Sequence, residues 1–177
     1  MQTETVLITV PQDSLSILIP DDKAFRGNEY LPAKDLDRMV KSLLGDQERF
    51  IDFQNLSISC LWKKKGGTSK GRAVLAKITA VSGLLTHYCK EDFVISFSAD
   101  NLIAACQGIS ILPHRMAEAL CFHELCHLEW DSEEGTARLV GHEFEGFYEE
   151  LQKYGDVLQP LRKVREVAQL PLFGKVE

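Results

Sequence analysis

The sequence predicts an α+β fold, a small mixed or antiparallel β-sheet packed against helices. Three observations predict it. Between residues 56 and 98 the apolar residues fall in short runs that partly alternate with polar ones, the period of a strand. From Ala99 onward they recur at helical spacing. No internal repeat or low-complexity linker divides the 177 residues, a length that suits one domain. Hydrophobic residues make up 45% of the chain, enough for a single packed core.

Residues 4–10, "ETVLITV", and 15–19, "LSILI", read as strands around the turn "PQDS". Residues 20–33 are loop-like, with two prolines and a glycine. "DLDRMVKSLL" (35–44) sets Leu36, Met39, Val40 and Leu43 on one helical face, with Asp35 as its cap and Gly45 as its stop. "LSISCLWK" (56–63), "GRAVLAKIT" (71–79) and "DFVISFS" (92–98) are further strands, and the glycine-rich "KKKGGTSKG" predicts a long-looped hairpin between the first two. "PHRMAEALCFHELCHLEW" (113–130) is expected to be one helix, with Pro113 in its first turn. "GHEFEGFYEELQKYG" (141–155) aligns Phe144, Phe147, Tyr148 and Leu151 on a helical face, and an amphipathic segment, "LQPLRKVREVAQL", follows. The expected organisation is an N-terminal extension over 1–34, a main domain over 35–155, and a C-terminal helix and tail over 156–177.

No stretch approaches the length of a membrane-spanning helix, and the N-terminus lacks the pattern of a secretory signal. The five cysteines are odd in number and form no C-x-x-C pair, which points to reduced thiols rather than a disulfide framework or a zinc knuckle. A cytoplasmic protein is the expectation.

The chemistry lies in "FHELCHL" (122–128). Residues four apart on a helix share one face, so His123 and His127 can both aim an imidazole at one cation. Glu124 stands beside the first ligand, placed to take a proton from a water on the metal rather than to bind the metal itself. This is the zincin arrangement, and zinc brings the pKa of its water to roughly 7 in such sites. A core helix with two hydrogen-bonded histidines is the bland alternative. The apolar neighbours Ala117, Leu120, Cys121 and Leu125 weigh against it, because two histidines and a glutamate buried together without a cation are costly.

A catalytic zinc needs a third protein ligand and one open position. His142 opens a helix just after Gly141, and Glu143 and Glu145 rival it. His114 reads as a surface or capping residue, His87 as an ordinary one between strands, and Cys126 as core packing. Glu145 could instead support a ligand imidazole by accepting its proton. Tyr154 or Tyr148 could stabilise an oxyanion, although packing suits Tyr148 better.

Taken whole, "FHELCHLEWDSEEGTARLVGHEFEGFYEELQKYG" resembles the putative phage metallopeptidase family, with its HELxH, short acidic insert, R-x-x-GH-x-x-E-x-F and terminal Y/F-G. "LWKKKGGTSKGRAVLAKITAVSG" and "DFVISFSADN" are similar to the same family, and the likeness spans about residues 35–155. It is more distantly similar to SprT-like zinc peptidases. The resemblance implies a zincin-like fold with one Zn2+ per chain, held by His123, His127 and His142. It implies Glu124 as general base, a protein or peptide substrate, and residence in a bacterial host cytoplasm. The chain departs from the family at Glu143, where similar sequences often carry aspartate.

Residues 62–77 carry Lys63, Lys64, Lys65, Lys70, Arg72 and Lys77 and no acid, whereas 117–150 carry ten acids against Arg138 alone. One end is thus expected to be basic and the catalytic end acidic, an arrangement suited either to basic peptide segments or simply to retaining a cation. The basic run reads as a solvated hairpin tip, with contact to nucleic acid or an acidic partner as the less favoured reading. Net charge of -6 also disfavours a nucleic-acid-binding surface. "GGTSKGR" lacks the lysine spacing of a phosphate loop, so nucleotide binding is rejected. The rival functions are a non-catalytic zinc-bearing binding protein and a SprT-like protease tethered to nucleic acid by the 62–77 loop.

Overall fold

The structure, a computed structural model, describes residues 16–69, 71–141 and 153–154. The strand over 4–10, most of the helix over 141–155 and the segment after it lie outside the described residues, as do Lys70, His142, Glu143, Glu145 and Tyr148.

The α+β expectation holds. Strand β1 (Ser16–Leu18) precedes β2 (Tyr30–Pro32) and helix α1 (Lys34–Asp46). A 3-10 turn over Glu48–Phe53 leads to β3 (Ile58–Lys63). Next come the short β4 (Thr68–Ser69) and β5 (Arg72–Ala73), then β6 (Ala76–Ala80) and a 3-10 turn over Gly83–His87. β7 (Phe93–Ser98), α2 (Ala99–Ala105), β8 (Ile111–Pro113) and α3 (His114–Leu125) follow, closed by β9 (Leu128–Asp131) and β10 (Thr136–Leu139).

A four-stranded mixed sheet runs in the order β2-β3-β7-β6, with β3 and β7 parallel and the other neighbours antiparallel. Period-two burial explains it. Ile58, Cys60 and Trp62 of β3, Phe93, Ile95 and Phe97 of β7, and Ile78 of β6 are all buried. Facing them are α1, which buries Leu36, Val40, Leu43 and Leu44, and α3, which buries Ala117, Leu120 and Cys121. The start of α1 is fastened to β3 where β2 runs out. Ala33 donates its N–H to the Cys60 carbonyl at 2.9 Å, and the Asp37 carboxylate accepts the Cys60 N–H. β1 pairs antiparallel with β8, Ser16 opposite Pro113 and Leu18 opposite Ile111.

Three local expectations are corrected. The cap of α1 is Ala33, with no side-chain bond, and Asp35 lies in the first turn beside Arg38; the helix runs past Gly45 to Asp46. β3 and β6 do not form a hairpin with each other, because β7 enters between them. β7 is the most thoroughly buried strand and takes the centre, where both of its edges are paired. The glycine-rich loop folds into its own small hairpin of β4 on β5.

The third correction concerns the helix over 113–130, which ends at Leu125. Leu128–Trp130 lie instead in β9, paired with β10. The hairpin supplies what helix continuation would have lost. Asp131 accepts the N–H groups of Glu133 and Glu134, and Gly135 takes φ +64, the left-handed conformation that favours glycine. Arg138 donates across the strands to Glu129, and Trp130 packs edge-on against Phe53 with ring centres 6.3 Å apart. None of the five cysteines forms a disulfide. Among the described residues, no helix is long and apolar enough to cross a membrane.

Candidate metal centre

α3 buries most of its girth, so its last turn can hold polar groups in fixed positions. His123 and Glu124 sit in that turn. The Cys126 N–H still bonds to the Phe122 carbonyl at 2.9 Å, and the His127 N–H reaches the Glu124 carbonyl at 3.3 Å. His127 therefore stays one turn above His123 although the regular helix has ended. The two imidazole rings stand 5.3 Å apart, nearly perpendicular at 83°.

The hairpin then orients His127. Its Nδ1 lies 2.7 Å from the Val140 carbonyl oxygen, while the Val140 N–H donates to the His127 carbonyl at 2.8 Å. A carbonyl can only accept, so Nδ1 carries the proton and Nε2 keeps its lone pair. Burial lowers the His127 pKa; the bond to Val140 opposes this and neighbouring His123 adds to it. The neutral imidazole with a lone pair on Nε2 is the form that ligates a metal, and an N–H bonded to a carbonyl is how ligating histidines are commonly held.

Glu124 is buried, and its Oε2 accepts the Ile78 N–H of β6 at 2.7 Å. Glu124 and both histidines line a cleft of about 580 Å³. From this end the cleft passes the edge strand β6 and reaches Ser96 and Ser98 of β7 and Lys63 of β3. Ser98 and Glu124 are the buried polar side chains among the described residues, and both line the cleft.

The β4–β5 loop forms the remaining wall through Gly67, Thr68, Ser69 and Val74. It is clamped by the start of α2. Asp100 accepts the Gly66 N–H at 2.7 Å, and the Asn101 amide donates to the carbonyls of Val74 and Gly67 at 2.9 and 3.1 Å. This approach requires glycine at 66, because a Cβ there would lie 2.2 Å from Asn101 Nδ2 and 2.7 Å from Ser98 Cβ. Both neighbours are held in place, one by its two hydrogen bonds and one by burial. Gly66→Ala is therefore expected to lower unfolding free energy by about 1–3 kcal/mol, the usual cost of overpacking. Urea titration would measure it, and an unchanged midpoint would show that the loop is not seated this closely.

The remaining sequence candidates are placed as follows. Tyr154 is buried with its ring 5.4 Å from Phe122, and its hydroxyl donates to Glu118 at 3.0 Å. Burial, then the Glu118 charge, raises its pKa far above the ordinary phenol value, and Tyr154 does not line the cleft. Cys126 is buried; His114 opens α3 and His87 is exposed in a 3-10 turn, neither lining the cleft. Lys63 lines the cleft and lies 3.8 Å from Glu29, while Lys64 pairs with Asp22 at 3.0 Å. Lys65 and Arg72 are exposed.

The described part of the cleft does not have the acidic character read from residues 117–150. Its lining contains two lysines, Lys63 and Lys77, and one acid, Glu124. The nearby acids face elsewhere: Glu118 toward Tyr154 and Lys153, Glu129 and Asp131 toward Arg138. Sequence reasoning also missed the Val140 carbonyl and the Ile78 N–H, which are backbone groups that no residue type signals.

Among the described residues, no group of three or more His, Cys, Asp or Glu side chains could hold a metal ion. His123 and His127 fit as two ligands of a divalent cation, by their shared wall and by the tautomer imposed on His127. The family model described as putative phage metallopeptidase matches residues 28–170. No curated protein and no solved structure matches the chain.

Proposed function

From the premise that this chain belongs to the putative phage metallopeptidase family, we propose that it is a zinc-dependent peptidase of zincin-like architecture acting in a bacterial host cytoplasm. One observation carries the reading: the buried Glu124 carboxylate shares a cleft wall with two imidazoles, one held in the ligating tautomer. His123 and His127 would hold the zinc, with His142 as the third ligand. When bound, zinc supplies Lewis acidity toward a carbonyl oxygen and a water molecule.

The chain's own groups do the rest. Val140 fixes the plane of the His127 ring and keeps its Nδ1 proton out of the chemistry. The Ile78 N–H holds the Glu124 carboxylate at the cleft wall. From there Glu124 takes a proton from the attacking water and returns it to the departing amine nitrogen. The cleft walls orient an extended segment of protein or peptide substrate past these groups.

Metal analysis of protein purified after zinc exposure should find about one zinc per chain. The zinc-loaded protein should cleave members of a mixed peptide library, and chelator should stop it. A protein that takes up no zinc would overturn the reading.

A further inference from the structure

The end of the cleft remote from the histidines is chemically distinct. Register places Lys63 of β3 opposite Ser98 of β7, and Lys77 of β6 opposite Ser96. Paired residues on neighbouring strands point to the same face, and Ser96 and Ser98 are two residues apart. All four side chains therefore stand on one face of the sheet, the lysines on either side of the central strand, and all four line the cleft. From strand spacing and rise, the two lysine Cα atoms are roughly 10–12 Å apart, room for an acidic side chain between flexible stems.

Three further observations bear on what this face can bind. Ser98 is 4% exposed, and its hydroxyl has no hydrogen-bond partner among the described residues. A buried hydroxyl without a protein partner is uncommon, and this one can offer a hydrogen bond to water or to a ligand in the cleft. Lys77 is exposed and has no ion pair among the described residues. Lys63 makes a loose 3.8 Å pair with the well-exposed Glu29 and lies over the Tyr30 ring at 5.8 Å, and surface contacts of this kind contribute little.

We propose that Lys63, Lys77 and Ser98 form a carboxylate subsite that selects peptide substrates with Asp or Glu a few residues from the scissile bond. The inference rests on the peptidase reading and names the substrate class for the same cleft. It takes a carboxylate on a peptide rather than a nucleic-acid backbone for two reasons. Lys64, the neighbour of Lys63 in the basic run, is already paired with Asp22 at 3.0 Å. The whole chain carries a net charge of -6, whereas nucleic-acid binding relies on an extended basic surface.

The test is binding to the zinc-loaded Glu124→Gln protein, so that nothing is consumed. The probes are fluorescein-labelled decapeptides with a randomised centre and flanks rich in Glu, Gln or Lys, together with a labelled 20-nucleotide single strand, read by anisotropy. Glu-flanked peptides should bind about ten-fold tighter than Gln-flanked ones, a preference that weakens with salt. The preference should disappear in Lys63→Gln/Lys77→Gln and turn toward Lys-flanked peptides in Lys63→Glu/Lys77→Glu, a reversal that a merely structural role would not produce. Equal or undetectable binding of the Glu and Gln sets overturns the subsite. So does an oligonucleotide that binds more tightly than the Glu set and loses its affinity in the same lysine variants. Failure of the peptidase reading would show separately, as wild-type protein that cleaves no member of the peptide library.

Discussion

Glu124→Gln is expected to lower peptide turnover by about 10²–10⁴-fold, the usual contribution of a positioned general base, while zinc content and fold stay as they were. The expectation of an intact fold comes from the bond to β6. Glutamine keeps a side-chain oxygen that can accept the Ile78 N–H, so the edge-strand amide remains satisfied. Glu124→Ala removes that acceptor at a buried position and should cost about 1–3 kcal/mol of stability in addition to activity. The two substitutions therefore separate the carboxylate's chemical role from its structural one. Steady-state cleavage, zinc content and thermal melts on the three proteins would make the comparison. A Glu124→Gln protein that retains turnover within about ten-fold of wild type would remove Glu124 as the base.

Periodicity made much of this arrangement legible. The α1 face, the buried alternation of β3 and β7 and the register of His123 with His127 all rest on local patterns that residue types carry directly. The parts that were not legible are set by pairing at a distance. Nothing in "GRAVLAKIT" says that its neighbour is β7 rather than β3, because both candidate partners alternate in the same way. The change from helix to strand after Cys126 has a local signal in "DSEEG", a turn sequence ending in a glycine. The apolar spacing of Leu125 and Leu128 masks it by continuing the helical pattern. The charge of the cleft was hidden for the same reason. Acids adjacent to the motif in sequence turn outward to Arg138 and Lys153, while Lys63 and Lys77 arrive from strands some fifty residues earlier.

His127→Ala is expected to weaken zinc binding by more than about a hundred-fold, since loss of even an outer-shell partner of a ligand costs roughly 10–100-fold. The substitution removes the Nε2 donor and, with it, the Nδ1–H that the Val140 carbonyl accepts. The hairpin keeps its own fastening, because the Val140 N–H still reaches the backbone carbonyl at 127 and the β9–β10 ladder is unaffected. The zinc-free variant should therefore lose only about 0.5–1.5 kcal/mol, the net worth of one hydrogen bond. A large loss of metal beside a small loss of stability identifies a ligand, whereas comparable losses in both would reduce His127 to a structural residue. Competition with a chromogenic chelator measures the affinity, and denaturant titration of the zinc-free proteins measures the stability. The same pair of measurements on His142→Ala and Glu145→Ala decides the third ligand. If His142 completes the site, its removal should match that of His127, and Glu145→Ala should cost no more than an outer-shell partner does. A reversed order would transfer the ligand role to Glu145. The mechanism at Glu124 would stand, but the metal would then carry one carboxylate and two imidazoles.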